Sequence, residues 1–220
     1  AYSSLRLGTS GLLFVLAYTM HRTFTFDQSR NFGIAVYASE AEDVQRVFDK
    51  IGHHCDHIHV DLVDKTVQSA AAPVRLECLR EVRTLWSGYP VCLHVMSRNP
   101  AWDQVDWYLL PCDGHDDLLE LIFDCRSREK KVGVVWHGDA ALGELLPYLP
   151  HGDFVMVLGI AEPGRSGQEL SERGLAVAQT LERMRHLYHY DLMFDGGVKS
   201  HNISQIPGRY IVSASGVLNA

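Results

Sequence analysis

The stretch HIHVDLVD, residues 57–64, interleaves apolar side chains with groups that do chemistry. Successive side chains of a strand point to opposite sides. Ile58, Val60 and Leu62 therefore share one face, and His57, His59 and Asp61 the other. Burying such groups without partners costs on the order of several kcal/mol, so the pattern needs a reason. Two further segments repeat it. VCLHVM (91–96) sets Cys92, His94 and Met96 opposite Val91, Leu93 and Val95, and LMFDGG sets Met193 and Asp195 opposite Leu192 and Phe194. His59, Asp61, His94 and Asp195 thus stand near the C-terminal ends of three strands, on matching faces. Two neutral imidazoles and two carboxylates are a ligand set for one divalent cation per chain, Zn²⁺, Fe²⁺ or Mn²⁺. A bound cation would account for their burial. A lone inward histidine is more often a hydrogen-bonded core residue, and that is the reading for His57; His53 and His54 read as solvated loop residues.

The elements that must position these groups follow from periodicity. Apolar runs at 32–38, 56–62, 90–96, 107–110, 132–136, 153–159, 190–195 and 209–215 read as eight strands. Helical patterns separate them. Ser39 and Glu42 have capping-box spacing ahead of Val44, Val47, Phe48 and Ile51, and Pro73 suits the start of the next helix. NPAWDQV reads as a short helix, as do DDLLELIFDC, AALGELLPYL, the long SERGLAVAQTLERMRHL and a turn around HNISQI. Strict βα alternation implies a parallel sheet, and eight units imply a (β/α)₈ TIM barrel, whose chemistry gathers at the C-terminal strand ends. The chain stops just after the eighth strand, so the expected barrel is one that lacks the final helix. Residues 1–31 read as an N-terminal extension or the remnant of an upstream region, and 32–220 as the barrel.

Composition is that of a soluble globular chain of 220 residues, 46% hydrophobic and 21% charged. A net charge of −7 argues against nucleic acid or an anionic membrane as partner. Five cysteines without a CxxC pair fit reduced thiols in a cytoplasmic protein. The run GLLFVLAY (11–18) has the apolar core of a signal peptide but no clear cleavage site, and it is too short to span a bilayer. The initial Ala is compatible with a domain of a longer polypeptide, and a homo-oligomer is equally compatible.

With these residues in view, the chain resembles the ribulose-phosphate 3-epimerases. Their H-x-D-x-M-D, D-x-H-L-M and V-D-G-G-V strand ends correspond to HVDLVD (59–64), CLHVM (92–96) and FDGGV (194–198). Their N-P-G-F-G-G-Q loop resembles EPGRSGQ (162–168), and V-A-G-S resembles VSAS (212–215). The resemblance runs from about residue 32 to the end. It implies a ketose-phosphate substrate of the ribulose 5-phosphate/xylulose 5-phosphate type and a metal-dependent inversion of the carbon beside the carbonyl. Asp61 and Asp195 would transfer the protons through an enediolate and also bind the metal, with His59 and His94 completing the shell. It places phosphate on Gly164, Arg165, Ser166, Gly167, Gly196, Gly197, Ala214 and Ser215; the bland reading of those glycines is tight βα turns.

The match departs from the family pattern around the pocket. Tyr37 stands near the family's Ser, Val63 replaces one methionine, Gly159 falls where another is expected, and Met96 is kept. These four positions are the expected substrate pocket, and their changes imply a different shape. A different sugar phosphate, in surface-polysaccharide precursor synthesis, is one alternative; a non-catalytic scaffold domain is another. An orotidine-phosphate decarboxylase reading is weak, because Lys65 lies four residues after Asp61, on a loop.

Overall fold

The computed structural model describes residues 29–36, 41–63, 78–97, 105–113, 117–163 and 167–214. Eight strands are present: β1 (Asn31–Val36), β2 (His57–Val63), β3 (Val91–Met96), β4 (Trp107–Pro111), β5 (Lys131–His137), β6 (Phe154–Leu158), β7 (Asp191–Asp195) and β8 (Tyr210–Ser213). Each pairs in parallel with the next, and β8 closes onto β1. The eight-stranded barrel expected from the alternation is therefore the fold. Among the described residues, five α-helices lie between strands: α1 (Ala41–Ile51), α2 (Cys78–Leu85), α3 (Leu118–Ser127), α4 (Leu142–Leu145) and α5 (Glu172–Tyr188). A 3₁₀ turn, Leu146–Tyr148, continues α4, and another, Ile203–Gln205, stands between β7 and β8. The NPAWDQV helix (all but Val105), the Pro73 helix start, Ser39, residues 1–28 and the end of the chain from 215 lie outside the described residues. No helix among the described residues is long and apolar enough to cross a membrane.

The pleat divides the core into two layers. Outward strand residues such as Ile34, Ile58, Leu93, Val155 and Phe194 pack with helix residues Val44, Val82, Ile122 and Leu181. Inward residues fill the barrel with Cys92, Trp107, Leu109, Val135, Phe154, Met156, Leu158, Met193, Tyr210 and Val212. Both sides of every strand are thus buried, which is why the strands read as nearly continuous apolar runs. The longest helix, α5, starts where Ser171 accepts a hydrogen bond from the Gly174 N–H and ends where His189 turns left-handed at φ 61°.

At the N-terminal rim one device recurs. Asp56, Asp106 and Asp153 each precede an even-numbered strand. Each carboxylate accepts the backbone N–H of the preceding strand: Phe32 at 2.7 Å, Val91 at 2.8 Å and Val132 at 3.0 Å. The same aspartates donate their own N–H groups back to the carbonyls of Phe32, Val91 and Val132. These charge-assisted bonds fix the register from below, so that the far ends of the strands present their side chains at set heights. His57 sits in this lower half, fully buried, in ring contact with Trp107 and Tyr210. Its Nδ1 lies 2.6 Å from Asn31 Oδ1. Burial, reinforced by the nearby His59 charge, lowers its pKa to about 3, so it is a neutral core residue.

Candidate metal centre and substrate pocket

Strand register assembles four groups. Asp61 and His94 are direct partners across β2 and β3, and His94 Nδ1 lies 3.0 Å from Asp61 Oδ1. His59, two residues earlier on β2, places Nε2 3.3 Å from Asp61 Oδ1 and 3.6 Å from Asp195 Oδ2. One ligand atom from each of His59, Asp61, His94 and Asp195 falls within 4.8 Å of all the others. His59, His94 and Asp195 are buried, and Asp61 is partly open to the mouth. Among the described residues, both ring nitrogens of His59 are buried without a well-aligned hydrogen-bond partner, which costs about 1–3 kcal/mol per group if nothing else meets them. The donor set and its orphaned imidazole fit one divalent cation.

The electrostatics follow from packing two carboxylates and two imidazoles out of water. Burial alone would depress the His59 imidazole; proximity to Asp61, Cys92 and Asp195 outweighs that and holds it well above the usual histidine range. Burial keeps His94 below that range although Asp61 pulls the other way. Burial would raise Asp61, but His59 and His94 overcome it and hold Asp61 below the usual carboxylate range. Asp195, with burial the stronger influence and the Asp61 charge adding to it, is pushed up to about 7. A divalent cation held by these four groups would take the place of the protons that His59 and Asp195 otherwise keep.

Two of the four expected pocket positions stand beside the tetrad. Val63 and Met96 are register partners one inward position beyond Asp61 and His94, both buried and packed together. Gly159 is not brought to the tetrad. A Cβ there would lie 2.4 Å from Cζ of Phe194, on the outer side of the sheet. The β6 residue that faces inward beside Asp195 is Leu158. Tyr37 lies outside the described residues. Leu158 and His137 are inward residues that the strand pattern does not single out; His137 ends β5, and its Nε2 lies 2.8 Å from Asp113 Oδ1. The strand pattern VGVVW stops one residue short of it.

Of the expected phosphate positions, Gly164, Arg165, Ser166 and Ser215 lie outside the described residues. Gly196 and Gly197 follow β7 with φ of 91° and 69°, a left-handed backbone that favours glycine. A Cβ on Gly197 would stand 2.6 Å from Cα of Leu170, so the loop after β6 packs directly on this turn. Both loops are braced. Gln168 accepts from the Glu162 N–H at 3.0 Å and donates to the Glu162 carbonyl at 2.7 Å. Asn202, buried, accepts from the Lys199 N–H at 2.8 Å and donates to the Gly197 carbonyl at 2.8 Å. Lys199 forms an ion pair with Glu169 that ties one loop to the other. Gly167 is exposed and Ala214 half-buried at the end of β8.

A family model described as the ribulose-phosphate 3 epimerase family matches residues 34–218. Among curated proteins, the ribulose-phosphate 3-epimerase of Mycoplasma genitalium is 28% identical over 174 residues, covering 73% of this chain and 78% of its own. That of Aquifex aeolicus is 25% identical over 178 residues, covering 75% and 78%. Among solved structures, KGPDC from Streptococcus mutans aligns with a TM-score of 0.63 at 15% identity, over 87% of this chain and 90% of that one. The 3-hexulose-6-phosphate synthase from Salmonella typhimurium aligns with a TM-score of 0.63 at 12% identity, over 86% and 91%. At such identities these two speak to the fold alone.

Proposed function

The chain belongs to the ribulose-phosphate 3-epimerase family, and with it to the isomerases that act on carbohydrates; from that premise we propose a metal-dependent 3-epimerase acting on a ketose phosphate of the ribulose 5-phosphate/xylulose 5-phosphate type. The observation that carries this reading is the closeness of Asp61, Asp195, His59 and His94 at the mouth of the barrel.

Inverting a carbon beside a carbonyl requires removing its proton on one face and returning one on the other. Asp61 rises from β2 and Asp195 from β7, on different walls of the barrel. One serves as base while the other serves as acid, and the roles exchange with the direction of reaction; such groups contribute roughly 10²–10⁴-fold. His59, His94 and the two aspartates would hold one divalent cation, which supplies Lewis-acid stabilisation of charge on the substrate oxygens, worth on the order of several kcal/mol. Val63, Met96 and Leu158 line the approach with apolar surface and exclude water. The braced turns bearing Gly167, Gly196 and Gly197, together with Ala214 at the end of β8 and with Gly164, Arg165, Ser166 and Ser215, would receive the phosphate on backbone N–H groups. Five buried cysteines that form no disulfide accord with a reducing, cytoplasmic setting.

The test is interconversion of D-ribulose 5-phosphate and D-xylulose 5-phosphate by the metal-loaded protein. Turnover abolished by chelation and restored by metal supports the reading. A chain that binds metal stoichiometrically but turns over neither ketose would contradict this substrate, and one that binds no metal would favour the scaffold alternative.

A further inference from the structure

The geometry points to His137 as a substrate-binding residue of this pocket, with Asp113 as the residue that positions it. The inference rests on the reading under Proposed function and deepens it. His137 closes β5 and faces inward, in register with Leu158 of β6, which is itself in register with Asp195 of β7. A single layer of side chains therefore runs His137–Leu158–Asp195 along the wall of the mouth, between the strand that carries His94 and the strand that carries Asp195. The His137 side chain is 27% exposed, and its inward direction aims that exposure at the mouth.

The imidazole is preorganised. Asp113 Oδ1 lies 2.8 Å from Nε2; a carboxylate only accepts, so Nε2 carries the hydrogen and the ring orientation is set. Nδ1 then remains for a ligand. The loop that follows is pinned by Arg173 from the first turn of α5. Its guanidinium donates to Asp139 Oδ1 at 3.2 Å, to the Asp139 carbonyl at 3.0 Å and to the Ala140 carbonyl at 3.2 Å, and it lies 5.8 Å from the Trp136 ring centre. Trp136 Nε1 donates to the same Ala140 carbonyl at 2.9 Å. A histidine held this firmly at the mouth suits a hydrogen bond to an oxygen of the sugar chain that takes no part in proton transfer. Such a contact is made equally in the ground and transition states, so it sets affinity and discrimination between ketose phosphates rather than turnover.

Steady-state kinetics and calorimetric titration with D-ribulose 5-phosphate, on the full metal-loaded chain, test this in wild type, His137→Ala, His137→Gln and Asp113→Ala. Expected is a rise of about tenfold in KM and in Kd for His137→Ala, with kcat changed by less than about threefold. His137→Gln, which keeps a donor and an acceptor, recovers most of the affinity, and Asp113→Ala raises KM by a smaller factor. An active wild type whose KM and Kd are unmoved by His137→Ala overturns the assignment and leaves the epimerase reading intact. Equal impairment of the Gln and Ala variants, in step with lost thermal stability, overturns it in favour of a purely structural ion pair. A wild type that neither binds nor turns over the sugar phosphate removes the underlying reading and this inference with it.

Discussion

His57 occupies the space that a side chain at residue 33 would need: a Cβ on Gly33 would stand 2.2 Å from the His57 Nε2. The two are register partners on β1 and β2, so neither can move without shifting the ladder. Gly33→Ala is therefore expected to destabilise the barrel by about 1–3 kcal/mol, as overpacking does. Urea denaturation measures it. A midpoint equal to that of the wild type would show that the lower barrel is looser than the structure describes.

His57 also gives stability a pH dependence. Its folded pKa of about 3 lies below the ordinary value of 6.5. Between those values the unfolded chain binds a proton that the folded chain does not, so stability falls as pH drops through this window. The loss assignable to His57 between pH 6.5 and 5 is about 2 kcal/mol. It is read as the difference between wild type and His57→Gln in the pH dependence of the denaturation midpoint. Parallel curves would contradict a neutral, buried His57.

Asp153 accepts the Val132 N–H at 3.0 Å and returns its own N–H to the Val132 carbonyl. Its ion pair with Arg126, with side chains 44% and 31% exposed, contributes little beside that. Asp153→Ala is expected to cost about 1–2 kcal/mol and to leave metal content and turnover unchanged, since it acts at the far end of the barrel. Loss of bound metal in a folded variant would contradict this separation of rim and site.

Metal should stabilise the fold by mass action, by about 4 kcal/mol at a thousandfold excess over its dissociation constant. Chelation is expected to lower the thermal midpoint and added Zn²⁺ or Mn²⁺ to restore it. His59→Ala should remove that response while remaining folded, because it also removes two orphaned nitrogens. A metal-responsive midpoint in His59→Ala would show that the ion binds elsewhere.

Much of this was legible in the chain because the pleat has a period of two. The alternation in HIHVDLVD and VCLHVM placed His59, Asp61 and His94 on one side, and the strand register then brought Asp195 to them. Parity also explains a limit of motif matching. Gly159 follows Leu158 by one residue, and that single step sends it to the outer face against Phe194, so a family position aligned there does not reach the pocket. His137 was hidden for another reason. It ends an otherwise apolar strand and gains its role from Asp113, 24 residues away on the neighbouring strand end. The aspartates at 56, 106 and 153 each stand before an apolar run, yet their partners lie on other strands, and only closure of the barrel discloses them.

In the proposed reaction Asp61 and Asp195 move the proton of a carbon beside a carbonyl. Its most direct measurement is NMR of D-ribulose 5-phosphate incubated with the metal-loaded protein in D₂O, alongside Asp195→Asn with its metal content determined. Expected is protein-dependent deuterium at C3, lost in the variant. Absence of deuterium at C3 with stoichiometric metal bound, or undiminished exchange in Asp195→Asn, would contradict it.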